Sequence, residues 1–416
     1  SIVDKRTNMN RLFSQSFKKN GIDLNNDRTQ RASIDFSGHS KINSGKFGLE
    51  HSRDSSKFLI YHELPFEHGN QRFGVKVFDE RFNTVWESEV EMPYEDDLMD
   101  IEDIEISNEG SVYILAAIYK DKRKSKRKGK PNYTYQVIKL DKESGALSTF
   151  EIQVAEKFLI DMNIALNVDE DLICGGFYSN ESSFSIDGSF FLRLNGLTHE
   201  IESQNFSPFS FEFITAYMTD KEVKKAHKQK SKGNDLEMFS YDLRNTVLKD
   251  DGGAVLIAEQ YQEYHGSYTD GNGNMQSYIK YIYGDIIAIS MNPDGTIDWT
   301  VKVPKLQESR NDGGYYSSFA SVVMDDKIFL VFNDNPRNLN IKTGKEIETY
   351  LWTKESIVAL VTINYAGEVE REALFTSEKK EVKICPKVSE QVSKNELILY
   401  GKRKKVYQLA KVTFRQ

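Results

Sequence analysis

Two cysteines in 416 residues, Cys174 and Cys385, exclude a disulfide framework, a CxxC pair and any cysteine-based zinc spacing. Each is flanked by apolar residues, so both are expected to be buried, unpaired and packed as small hydrophobes. Histidine is scarce too: there are 7, none at ligand spacing from another, and no metal or cofactor site is expected. The chain has no GxSxG, no HExxH and no P-loop, so no catalytic residue can be named from a motif. Its longest uncharged apolar stretch, VYILAAIY at 112 to 119, is far short of the roughly 18 to 20 residues that cross a bilayer. Positive charge is in deficit, with a net charge of −8, which argues against nucleic acid as a partner because phosphate binding needs a basic face. Proline and methionine are few, at 8 and 9.

Aromatic residues are plentiful. The 21 tyrosines and 25 phenylalanines suit pleated, half-buried surfaces better than a helical bundle. Period-two alternation brings out one recurring unit: an apolar strand, a polar turn, a strongly apolar middle strand, a variable hairpin, and a third strand ending in Asp or Asn. The third strand reads VIKLDKESG at 137 to 145, FLRLNG at 191 to 196, IAISMNPDG at 287 to 295 and LVTINYAG at 360 to 367, with VKVFDERFN at 75 to 83 as a looser copy. Middle strands recur six times, beginning near residues 57, 111, 171, 253, 327 and 396. The Asp or Asn marker falls at 79, 141, 195, 292 and 364, in steps of 62, 54, 97 and 72. A strand-rich unit recurring without intervening helices predicts an all-β fold, a single β-propeller of about six four-stranded blades.

The sixth copy runs out of strands, because VYQLAKVTF at 406 to 414 leads straight to the last residues. Residues 1 to 45 form an N-terminal segment, and within it ASIDFS at 32 to 37 is expected to supply the closing strand; the propeller then spans 46 to 416. Closure would remove unpaired sheet edges. The 97-residue step carries an insertion at 207 to 240, where a capping box at Thr219 and Glu222 predicts a short surface helix.

Candidate functional residues sit in loops. NDGGYYSSF at 311 to 319 joins one blade to the next; Gly313 and Gly314 allow a tight turn, and Tyr315 and Tyr316 suit stacking on a sugar or clamping a peptide. The reading favoured for the same segment is a structural joint, with tyrosines packed between blades. Asn333, Asp334 and Asn335 end one middle strand, and Glu259 and Gln260 end the one before, as a polar binding surface or as turn chemistry. YTDGNGNMQ places Asp270, Asn272 and Asn274 like a calcium loop, but Met275 and Tyr281 occupy the required Gly and Glu positions, so an EF-hand is excluded. The 63 acidic residues allow no glycosidase-style pair to be selected.

The run KDKRKSKRKGK at 120 to 130 forms a basic patch of Lys122, Arg123, Lys124, Lys126, Arg127 and Lys128 with its flanking lysines. Such a patch suits an anionic membrane, lipopolysaccharide or an acidic partner, and also a solvated hairpin neutralised by the acidic stretch at 94 to 105. Finally, DDGGAVLIAEQY, YGDIIAISMNPDGTIDW, VKVPKLQ, NDGGYYSSF and FNDN, between about 250 and 338, resemble uncharacterised cell-envelope β-propeller proteins of Bacteroidetes. That resemblance implies export and a secretion- or gliding-type assembly. It carries no catalytic signature. Ser1 stands where an unprocessed chain would have Met, which is compatible with a removed signal peptide or preceding segment. The expectation is a non-catalytic protein-interaction module in the periplasm or at the outer membrane, with a protein partner; a glycan-binding or glycan-cleaving propeller is the alternative.

Overall fold

The computed structural model describes all residues except 18–23, 38–44, 65–68, 122–125, 128–129, 143, 153, 155–156, 181–184, 233–235, 237, 325–326, 342, 352–354, 378–381 and 416. It is built as the sequence predicts, from successive four-stranded antiparallel sheets of the β-propeller kind with a short helical insertion. The N-terminal strands β1 (Ile2–Asp4), β2 (Met9–Phe17) and β3 (Leu24–Asp35) form a three-stranded sheet. The first blade is β4 (Phe47–His51), β5 (Lys57–Glu63), β6 (Asn70–Asp79) and β7 (Thr84–Glu95). In the second, β8 (Met99–Ile106) and β9 (Val112–Tyr119) are followed by a small hairpin, β10 (Lys126–Arg127) and β11 (Lys130–Pro131), and then by β12 (Tyr133–Leu140) and β13 (Leu147–Ile152). The third is β14 (Phe158–Leu166), β15 (Leu172–Ser179), β16 (Gly188–Leu194) and β17 (Ile201–Pro208).

Helices α1 (Phe211–Thr215) and α2 (Asp220–Lys230) make up the insertion, and α2 begins where its sequence says it should. The Glu222 carboxylate accepts both the Thr219 N–H (2.9 Å) and the Thr219 hydroxyl (2.6 Å), satisfying a donor the helix itself cannot. The fourth blade is β18 (Tyr241–Leu248), β19 (Ala254–Thr269), β20 (Met275–Met291) and β21 (Ile297–Val303), with β22 (Gln307–Arg310) pairing further along β20. The fifth is β23 (Ala320–Met324), β24 (Lys327–Asp334), β25 (Ser356–Ile363) and β26 (Val369–Ser377). The sixth has β27 (Lys383–Ile384) and β28 (Glu390–Ser393) in series on one edge of β29 (Glu396–Arg403), and β30 (Val406–Thr413) on the other. It is therefore three strands wide, the shortage anticipated from the sequence. Ala32–Asp35, the core of the expected closing stretch, pairs with Met9–Leu12 of β2 and buries Ile34.

The turn markers do the work their chemistry suggests. The Asp79 carboxylate accepts the N–H groups of Arg81 and Asn83, Asp141 that of Ser144, Asn195 those of Leu197 and Thr198, and Asn364 those of Ala366 and Glu368. Each side chain thus replaces a backbone acceptor at the end of the third strand. Burial is deepest in the middle strands β9 and β15; in β9, Val112–Ile118 are all below a tenth exposed.

Two compact units are distinguished. Unit 1 comprises Ser1–Gly175, Ser179–Ser183 and Leu192–Gln204; unit 2 comprises Gly176–Tyr178, Phe184–Phe191 and Asn205–Gln416. In unit 1, Leu59, Val75 and Val77 pack with Ile104, Ile114 and Ile138. In unit 2, one core joins the fourth and fifth blades through Ile257, Ile286, Leu330, Phe332 and Val361, and another joins the fifth and sixth through Val322, Val358, Leu397 and Leu399. At about 1.5 to 3 kcal/mol for each large side chain removed from water, these inter-sheet contacts are the main favourable contribution to folding. Both cysteines are buried and unpaired.

Candidate functional site

In unit 2, the connection from β22 to β23 draws together residues far apart in sequence. It begins with Asp312, whose Oδ1 accepts the Ser309 hydroxyl (2.6 Å) and the Gly314 N–H (2.9 Å). Gly313 and Gly314 follow at φ of +66° and +63°. A Cβ at Gly314 would lie 2.4 Å from the Tyr283 ring, so both the backbone conformation and the close approach require glycine there. Ser318 also has a positive φ, +72°, without being glycine. Two buried hydrogen bonds hold it: its N–H donates to Gln307 Oε1 (2.7 Å) and its hydroxyl to Glu259 Oε2 (2.6 Å).

Glu259 is the hub. It lies fully buried at a β-bulge between β19 and β20, with Lys305 Nζ 2.5 Å from Oε1 and Arg244 Nε 3.3 Å from Oε2. Lys305, equally buried, also donates to Gln307 Oε1 at 3.3 Å. Burial lowers the Lys305 pKa and the Glu259 charge opposes that shift. The Gln307 amide donates to the Asn333 carbonyl (2.8 Å), and the Asn333 side chain donates to the carbonyls of Tyr316 and Ile384, each at 2.8 Å. Asn333 therefore ties the crossover to the sixth blade.

Asp334 continues the network. Its Oδ1 accepts the Asn338 side chain (2.7 Å) and the Asn335 N–H (2.8 Å), while Arg371 stands 3.9 Å from Oδ2 and donates to the carbonyls of Pro304 (2.6 Å) and Asn338 (2.9 Å). Burial raises the Asp334 pKa against the attraction of Arg371. Asn335 accepts the Arg337 N–H and caps a 3-10 turn at Pro336–Asn340.

The structure thus brings Glu259, Asn333 and Asp334 together as a buried polar network, while Asn335 serves a turn and Gln260 lies against Gly284. Tyr315 and Tyr316 stay partly exposed, their rings edge-on at 5.3 Å, with Lys402 over Tyr315 at 5.4 Å. In the basic patch, Lys122, Arg123, Lys124 and Lys128 lie outside the described residues, and Lys126 and Arg127 are described as the strand β10 alone. Sequence reasoning missed Lys305, Gln307, Ser318, Arg244 and Arg371. The available signal was VPKLQ at 303 to 307, two polar residues within an apolar stretch at a blade's end.

A second feature of unit 2 is a two-stranded ribbon. β19 and β20 have 16 and 17 residues, against 8 for β24 and β25, and pair from Ala254↔Met291 out to Thr269↔Met275. β18 covers β19 only as far as Gln260, and β22 covers β20 only over Tyr283 to Lys280. One face of the protruding part carries Tyr264, Tyr268 and Tyr278, the last lying over Gly266 with Arg310 4.8 Å from its ring. Tyr264 and Tyr268 are 53% and 55% exposed. At the tip, the Asp270 carboxylate accepts the N–H groups of Asn272 and Asn274, turn chemistry in the place where calcium ligation was excluded. Among the described residues no group of His, Cys, Asp and Glu could hold a metal ion.

Unit 1 holds a half-open cleft of about 500 Å3 between β3 and the first blade, with His62, Lys76, Glu87 and Glu89 among its lining residues. Lys76 is already paired with Glu87 at 2.7 Å, and Glu89 with Arg72 at 3.0 Å.

No known family model and no curated protein matches the chain. Among solved structures it is similar to the β-propeller domain of the trilobed protease from Pyrococcus furiosus (10% identity, 89% of this chain and 82% of that one, TM-score 0.39). It is also similar to the WD40 domain of SCAP from fission yeast (7%, 92% and 87%, 0.32) and to an ulvan lyase (10%, 98% and 89%, 0.41). At these scores the likenesses transfer no residue role and no chemistry to this chain.

Proposed function

We propose that the chain is a non-catalytic protein-interaction module of a cell-envelope assembly, and that its contact surface in unit 2 is the β19–β20 ribbon. The carrying observation is the ribbon itself, extended beyond its neighbours and bearing Tyr264 and Tyr268 more than half exposed beside Arg310. Tyrosine and arginine concentrate binding energy at protein interfaces, and the ribbon's uncovered edges offer backbone groups for an added strand. The buried network fits a structural role: Glu259, Lys305 and Asp334 are fully buried and engaged with one another's neighbourhoods, so none of them meets a substrate from solvent. The envelope setting, periplasmic or at the outer membrane, rests on the resemblance of residues 250 to 338.

The test is native co-purification of the wild type against a variant in which residues 262 to 279 are replaced by a two-residue turn. Loss of a specific protein partner, with thermal stability retained, is the expected result. If the same variant loses binding to a glycan array while its protein partners are unchanged, the glycan-binding reading replaces this one.

A further inference from the structure

At the root of the ribbon, two tyrosines face each other across the strands and two surface cations sit over them. Tyr261 and Tyr283 are directly opposite in register, with ring centroids 4.9 Å apart. The Arg244 guanidinium stands 5.7 Å from the Tyr261 ring and Lys387 Nζ 5.1 Å from the Tyr283 ring. With the buried Lys305 Nζ also 5.9 Å from the Tyr283 ring, the two rings gather three cations, of which Arg244 and Lys387 reach the surface, on a chain whose net charge is −8.

The two surface cations differ in how they are neutralised. Arg244 shares Glu259 with Lys305 and lies 3.8 Å from Asp242. Lys387 donates to the Tyr283 hydroxyl and the Gly313 carbonyl, both at 3.0 Å, and among the described residues has no carboxylate within ion-pair distance. The nearby acid Asp312 has its Oδ1 committed to Ser309 and Gly314, while its buried Oδ2 accepts no hydrogen bond among the described residues and lies beyond ion-pair distance of Lys387. Partial burial holds the Lys387 pKa below its ordinary value and the like charge of Arg244 adds to that, while the charges of Glu259 and Asp312 oppose the shift. Both side chains reach solvent. The acids around the pair are engaged mainly with Arg244 and Lys305, so the Lys387 ammonium is the cation with donor capacity to spare, and a carboxylate placed against it would receive a charge-assisted hydrogen bond.

We infer that Arg244 and Lys387, over Tyr261 and Tyr283, form an anchor for a carboxylate side chain in an acidic segment of the partner protein. This rests on the interaction reading above and specifies one point of its contact. The rest of the surface carries an excess of negative charge, so recognition of an acidic segment would be local to this pair and sensitive to salt.

The test titrates the full chain with a fluorescently labelled oligoglutamate peptide, a length-matched oligoglutamine peptide and inorganic phosphate. Wild type should prefer the glutamate peptide, and Lys387→Met should weaken that binding about tenfold, the size of one charge-assisted hydrogen bond. Lys387→Arg should retain it. Thermal midpoints should match the wild type for Lys387→Arg and fall only slightly for Lys387→Met, which loses two hydrogen bonds at the surface. Equal binding of the two peptides, or an undiminished glutamate preference in Lys387→Met, overturns the anchor. Phosphate competing as well as the glutamate peptide makes the pair a general anion site and overturns the peptide assignment. None of these outcomes depends on the ribbon-replacement experiment, so the anchor and the interaction reading can fail separately.

Discussion

Strand β8 of unit 1 and the Glu259 network of unit 2 handle crowded acid in opposite ways. On β8 of unit 1, Glu102, Asp103 and Glu105 stand among further acids: Asp161 and Asp100 act on Glu102, Asp161 on Asp103, and Asp103 and Glu50 on Glu105. Burial, reinforced by these like charges, pushes Glu102 and Asp103 each up to about 7 and Glu105 well above the usual carboxylate range. Glu102 is exposed and Asp103 and Glu105 are half-buried, so solvent screens these groups and their effect on stability is smaller than for a sealed group. In unit 2, Glu259 faces Lys305 and Arg244, and Asp334 faces Arg371. Strand β8 keeps its acids by holding protons, and the Glu259 network keeps its own by supplying cations. Removing a partner should therefore be costly in unit 2, and removing a charge should be harmless or favourable in unit 1.

The largest expected effect is at Lys305. Lys305→Met leaves Glu259 Oε1 buried opposite an apolar chain, with Arg244 and Ser318 still on Oε2, and should cost about 3 kcal/mol in denaturant unfolding. Combining it with Glu259→Gln removes the stranded charge while keeping an acceptor for Ser318, and should restore more than half of the loss. Equal destabilisation by the single and double variants would mean that packing, not pairing, sets the cost. Arg371→Met should come next, at about 2 to 3 kcal/mol, because it strands Asp334 Oδ2 and leaves the Pro304 and Asn338 carbonyls without their donor. Arg371→Lys should recover little of this, since a single ammonium cannot reproduce the forked geometry. Full recovery by lysine would show that charge alone matters there.

The sheets were legible in the sequence because their causes are local. Alternation marks which residues face the core, and an Asp or Asn side chain ends a strand by accepting N–H groups two to four residues on, as Asp79 and Asn364 do. The capping box at Thr219 was readable for the same reason. Glu259, Asn333 and Asp334 were found as polar residues ending middle strands, but their environment was not, because Lys305, Ser318 and Arg371 reach them only through the packing of adjacent blades. The ribbon's length has no signature in the sequence, since its exposed tyrosines alternate just as half-buried ones would. The acids of β8 were seen as an acidic stretch, and nothing in the sequence distinguishes a solvated carboxylate from one crowded into a recess.

The smallest expected effect tests the unit 1 side of the contrast. With Glu102 at about 7 in the folded chain and near its ordinary 4.5 when unfolded, the folded state holds a proton between those values that the unfolded state has lost. Stability from this group is thus fully present below about 4.5 and is lost as pH rises towards 7. Hydrogen exchange of the β8 and β9 amides should accordingly show stronger protection at pH 5 than at pH 8. Glu102→Gln, neutral at every pH, should raise protection at pH 8, leave it unchanged at pH 5, and so flatten the dependence. Asp103, also at about 7, keeps some slope in the variant. If wild type and Glu102→Gln differ by the same amount at both pH values, Glu102 is ionised throughout, and unit 1 stabilises its acids by some means other than holding their protons.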